Sequence, residues 1–149
     1  MEEAVSGFEP TAVDLRDYVD FRETGPAGRR VFATDVVAVD LVGLEPHQLI
    51  DARAFATADA IYTVLGGRAW VVTDDSEVTL EPLQSVMIPA GVAHGVRNDA
   101  PDPLILQIVV SPPDEAPPPP PGPVAPPADR APRAPKHRLV DRLRRTLGG

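Results

Sequence analysis

The sequence predicts an all-β sandwich or barrel, because short apolar, β-branched runs recur, turn residues separate them closely, and no run sustains a 3.6-residue period. The candidate strands are Val36–Leu44, Leu49–Phe55, Ile61–Leu65, Ala69–Thr73, Val78–Leu80, Ser85–Ile88, His94–Asn98 and Leu104–Val110. The first is closed by a Glu45-Pro46-His47-Gln48 turn and the third by Gly66-Gly67. Asp74-Asp75 parts the fourth from the fifth, Pro89-Ala90-Gly91 the sixth from the seventh, and the stretch from Asn98 to Pro103 precedes the last.

These runs lie in a body spanning residues 29–111. An acidic amino-terminal arm, residues 1–28, comes first and carries only a weak helix-start signal at Thr11. Residues 112–136 follow the body, and about half of them are proline, with an unbroken run from Pro117 to Pro121. Proline fixes φ and lacks the N–H that helices and sheets use, so this stretch is expected to be a disordered, extended linker. Residues 137–149 close the chain. Leu139, Leu143 and Leu147 fall at i, i+4, i+8 with Val140 beside them and arginines elsewhere, which describes a short basic amphipathic helix with a glycine stop. A helix of that length is marginal alone in water, so it should fold when its leucine face is covered.

Charge divides the chain in the same place. Before Pro112 there are 18 acidic residues and 7 arginines, a balance of −11; from Pro112 onward 4 acidic and 7 basic residues leave +3. Phosphate backbones need a basic face, so the body is not expected to bind nucleic acid. There is no cysteine, which rules out disulfides and thiolate metal sites. No apolar run is long enough to span a membrane and no signal peptide is visible, so a cytoplasmic protein is the default expectation.

The segment Leu83-Gln84-Ser85-Val86-Met87-Ile88-Pro89-Ala90-Gly91-Val92-Ala93-His94-Gly95-Val96-Arg97-Asn98 carries the most chemistry. A strand, a Pro-x-Gly bend and a second strand alternating His94, Val96 and Asn98 onto one face resemble the second motif of the cupins. Asp59 to Ala69, with Ile61-Tyr62-Thr63-Val64-Leu65-Gly66-Gly67 at its heart, is similar to their first motif. The resemblance implies a cupin-type β-barrel, a jelly roll or double-stranded β-helix. It also implies a divalent-metal site of three histidines and a glutamate. Aligned without gaps, the first motif's two histidine positions fall on Arg53 and Phe55 and its glutamate position on Ala60. The second motif's opening Gly-Asp is replaced by Leu83-Gln84, and His94 alone is retained. One imidazole does not hold a functional divalent ion. No cofactor is therefore expected; the alternative is a divalent metal held by a site rebuilt from His47 with Asp51 or Asp59.

In place of a metal, Arg53, Phe55, Tyr62, His94, Asn98 and Gln107 are the candidate pocket residues. A guanidinium beside an imidazole and a phenol could hold a small anionic molecule. The plainer reading pairs Arg53 internally with a carboxylate such as Asp51, fills the metal's space with Phe55 and leaves His94 as a hydrogen-bonded remnant. Trp70 is expected to serve packing.

Three functions compete. The leading one is a non-catalytic cupin that binds a small molecule or acts as an accessory module, docking a protein partner through Leu139, Val140, Leu143 and Leu147. The alternative is a cupin enzyme, either a metal-dependent oxygenase or isomerase or a metal-free acid–base catalyst built on His94 with Arg53 stabilising an anion. The third is a structural dimer block whose tail recruits partners. Its composition is similar to peptides that bring cargo into bacterial protein shells. A protein groove suits the tail better than a membrane surface, and a homodimer is what the family resemblance implies.

Overall fold

Nine strands make up the core of residues 7–120, which together with Leu143 are the residues described by the computed structural model. They are β1 (Ala27–Ala33), β2 (Ala38–Leu44), β3 (Leu49–Arg53), β4 (Asp59–Gly66), β5 (Ala69–Thr73), β6 (Glu77–Leu80), β7 (Ser85–Ile88), β8 (His94–Arg97) and β9 (Leu104–Ser111). Two antiparallel sheets result, ordered β1-β2-β9-β4-β7 and β3-β8-β5-β6, as a cupin jelly roll requires. Among the described residues no helix is long and apolar enough to cross a membrane.

Period-two alternation decides which side chains lie between the sheets. In β9, Leu104, Leu106, Ile108 and Val110 are buried in the core, and the register sets them opposite Leu44, Val42, Asp40 and Ala38 of β2. Ala60, Tyr62 and Val64 of β4 point the same way. The second sheet meets them with Val71 and Val96, which pair across β5 and β8. Unlike the other strands, β8 is buried at every position, so its outer face is covered as well.

Two connections share one design. In Glu45-Pro46-His47-Gln48 and in Glu81-Pro82-Leu83-Gln84 the glutamine N–H bonds the glutamate carbonyl (3.1 and 2.9 Å), and the glutamine Oε1 accepts from the glutamate N–H (2.9 and 2.8 Å). The third residue of each is left-handed, His47 at φ 72° and Leu83 at φ 70°. His47 is thus an exposed turn residue at the end of β8 remote from His94, where its N–H bonds the Asn98 carbonyl at 2.8 Å.

The sequence boundaries shift in two places. A first strand, Ala27–Ala33, straddles the expected junction of arm and body. Its residues Gly28-Arg29-Arg30 carry no apolar alternation, and it forms because β2 offers it a partner edge. The arm before it makes a short 3-10 turn, Leu15–Tyr18, capped by Asp14, then crosses β2 so closely that a Cβ at Gly43 would collide with the Asp20 carbonyl. The second shift is at the linker. Pro112–Pro120 is packed on the body: the Gly28 N–H bonds the Pro120 carbonyl at 2.6 Å. Arg30 binds Asp40 through Nε (2.8 Å) and Nη2 (3.0 Å), and Nη2 also reaches the Pro117 carbonyl at 2.9 Å. Proline carbonyls remain good acceptors, so the run seals the β1 edge. The rest of the expected linker, residues 121–136, and all of the expected helix except Leu143 lie outside the described residues.

Candidate functional site

The bend after β7 sets His94. Gly91, at φ 88°, reverses the chain, and its N–H bonds the Phe55 carbonyl at 2.7 Å, which ties the bend to the β3–β4 loop. His94 then enters β8 opposite Arg53 of β3 and Thr73 of β5. Its ring faces inward against Tyr62, edge-on at 5.2 Å between centroids, and Phe55 at 6.0 Å.

Hydrogen bonding determines the imidazole's tautomer. Nδ1 lies 2.9 Å from the Val92 carbonyl, which can only accept, so Nδ1 carries the proton. Nε2 is then an acceptor, and the Tyr62 hydroxyl donates to it at 2.6 Å. The Tyr62 oxygen in turn accepts from Arg53 Nε (3.3 Å) and Nη2 (3.0 Å). Burial pushes the imidazole's pKa down to about 4; the Val92 carbonyl opposes that shift and the nearby Arg53 charge adds to it. His94 is therefore neutral at pH 7. The guanidinium stacks near Phe55 and Tyr62, 5.3 and 6.0 Å from their centroids, and stays only part-buried. Among the described residues the recorded ion pairs do not include Arg53.

Four of the six candidate residues meet here: Arg53, Phe55, Tyr62 and His94. Two do not. Asn98 is fully buried beyond the other end of β8, and its side chain ties the following loop together. Its Nδ2 donates to the Leu44 (3.0 Å) and Asp102 (2.8 Å) carbonyls, and its Oδ1 accepts from the Ala100 N–H (3.0 Å). Gln107 pairs with Leu41 and Thr63 on the opposite face of β9 from Leu106 and Ile108, so it looks out of the barrel.

A residue beyond the cupin motifs completes this mouth. Glu115, just after the expected domain end, accepts the N–H groups of Ala56, Thr57 and Ala58 at 2.6 to 2.7 Å and the Thr57 hydroxyl at 2.8 Å. These donors hold its carboxyl below the usual range, with Thr57 the main cause. It fastens the loop that bears Phe55. Nothing local in the sequence marks it, because its partners lie nearly sixty positions away in the chain.

The donors around His94 do not fit the cupin metal. Ala60 supplies no carboxylate, a guanidinium and a phenyl ring stand at the two histidine positions, and the lone pair of Nε2 is engaged by a hydroxyl. Among the described residues no group of three or more His, Asp or Glu side chains is placed to hold a metal ion, and His47 is far removed from His94 along β8.

Two antiparallel sheets wrapped as a double-stranded β-helix, with one end of the barrel built by the second strand of a Pro-x-Gly bend, define the class of protein. Residues 41–111 match the Cupin domain family (Cupin_2). The structure is similar to TT1209 from Thermus thermophilus, at 29% identity and a TM-score of 0.64 over 67% of this chain and 95% of that one. It is also similar to a conserved protein with a double-stranded β-helix domain from Klebsiella pneumoniae, at 23% identity and 0.66 over 71% and 93%. The Cupin_2 domain of an XRE family transcriptional regulator from Enterobacter cloacae aligns at 20% identity and 0.53 over 58% and 95%. No curated protein matches the sequence. The described residues have the cupin fold, and residues 41–111 are the part that matches the cupin family.

Proposed function

We propose that this cupin is a non-catalytic receptor for a small carboxylate, held at the barrel mouth by Arg53. One observation carries the reading. Arg53 is anchored through Nε and Nη2 on the Tyr62 hydroxyl beside the Phe55 ring, with no carboxylate partner among the described residues. A part-buried guanidinium without a counter-charge suits an anion, and Nη1 with the second N–H of Nη2 forms the edge left for bidentate recognition. The neighbouring ring offers an apolar wall for the rest of a small ligand.

Catalysis has less support. Both nitrogens of His94 are engaged, the ring is almost wholly buried and its pKa lies near 4, so it is a poor proton acceptor for a substrate at pH 7. Titration of the full-length protein with a panel of small mono- and dicarboxylates by calorimetry tests the proposal. Binding of at least one acid, weakened tenfold or more by Arg53→Gln, is the expected result, a tenfold loss being about 1.4 kcal/mol. Equal affinity in R53Q, or a stoichiometric iron, manganese, nickel or zinc ion that survives dialysis, would overturn it.

A further inference from the structure

The outer face of β3, β8 and β5 poses a separate problem. Gly95 stands mid-strand in β8, paired to Val72 of β5, where glycine weakens a sheet unless something approaches closely. Leu143 supplies the reason: a Cβ at position 95 would collide with its Cδ1 and lie 3.3 Å from the Ile50 carbonyl. Leu143 is in helical conformation, 1% exposed, and packs with Ala52 and Val72, while Trp70 and Ala93 close the sides. Small residues at 52, 93 and 95 make a dent, and one leucine fills it.

Polar groups around the dent match the same occupant. Arg97 is fully buried, lies 4.3 Å from the Trp70 ring centroid, and pairs with Asp99. Its Nη1 donates to the main-chain oxygen of Leu143. Asp51 adjoins Ala52 on β3, and Asp74, Asp75 and Glu77 gather where β5 turns into β6. The segment that bears Leu143 brings Lys136, Arg138, Arg142, Arg144 and Arg145 against a single Asp141. An acidic rim around an apolar dent thus complements a basic segment with a leucine stripe. The 23 residues that follow Pro120, through Leu143, could extend to roughly 75 Å, ample to return to the same barrel.

We propose that this face is the docking site of the chain's own C-terminal segment, residues 137–149, anchored by Leu143 on Gly95. The leucine stripe is thereby held on the barrel and must be released before it engages any other protein. Docking also supplies the burial that so short a helix needs in order to fold.

Trp70 is the sole tryptophan and lies beside the anchor, so its fluorescence reads the contact. In full-length L143D, acrylamide quenching of Trp70 should rise severalfold and its emission should move to the red. A synthetic peptide of residues 136–149 should reverse both, and less so at high salt. Should L143D lose its β-sheet circular dichroism, Leu143→Ala is read in its place, with the same direction of change. Unchanged quenching in a folded variant overturns the proposal. Loss of wild-type Trp70 protection on dilution, together with a dimer that L143D dissociates, also overturns it by making the occupant a second copy's segment.

Discussion

Two arginines on opposite faces of one sheet meet different fates. Arg97 on the outer face of β8 is saturated: carboxylate, carbonyl and indole surround it, and none of it is exposed. Arg53, opposite His94 on the inner face, has a phenol as its polar anchor, keeps partial exposure and lacks a carboxylate among the described residues. A buried charge must be paired, so the first is a structural rivet; a half-buried charge with a spare edge can wait for a ligand. The lesson is that neighbourhood, not residue type, assigns the role.

The sharpest break of that comparison is to remove each arginine. Arg97→Ala should cost about 3 kcal/mol by urea denaturation, because it strips the partner of Trp70 and opens the covered face. R53Q should cost no more than about 1 kcal/mol in the same assay, as expected of a part-exposed group outside any ion pair among the described residues. Equal losses would erase the distinction.

Next in size is an acid effect confined to the inner face. The folded pKa of His94, about 4, lies below its ordinary value of 6.5. The unfolded chain therefore binds the extra proton first. Stability from this group is complete above pH 6.5 and declines as pH falls through 4. The total is on the order of 3 kcal/mol. Stability measured between about pH 7.5 and pH 4 should fall less steeply in His94→Gln than in the wild type; parallel curves would refute the buried, neutral imidazole.

Below the Arg97 and His94 effects comes the link between the two inner groups. Tyr62→Phe keeps the ring but removes the hydroxyl that serves both Arg53 and His94, at a cost of about 2 kcal/mol for a buried acceptor left unmade. R97A and Y62F should add in the double variant, since they act on opposite faces. Strong coupling in that cycle would show the faces to be one network.

Much of the fold was legible because strand physics is local. All eight expected strands are present with modest shifts at their ends, since alternation and turn residues act over a few positions. β1 was missed because a polar edge strand has no periodic signal and depends on its neighbour. At the site, Arg53, Phe55, Tyr62 and His94 followed from motif register; the pairing of β3 with β8, and β4 facing them from the other sheet, bring them together. Gln107 failed because the register of β9 against β4 and β2 sets its parity, and that is a long-range property. Asn98 has the right parity, yet its amide is consumed by carbonyls of the next loop.

Composition and short-range pattern by themselves determined the class of fold, the acidic body with its basic end, and the replacement of coordinating side chains at the cupin positions. Tertiary structure alone decided which nitrogen of His94 is protonated, that Glu115 fastens a loop nearly sixty residues upstream, and that Leu143 closes over Gly95. Local propensities act between neighbours in the chain, whereas those three contacts join groups whose proximity exists only after both sheets have closed.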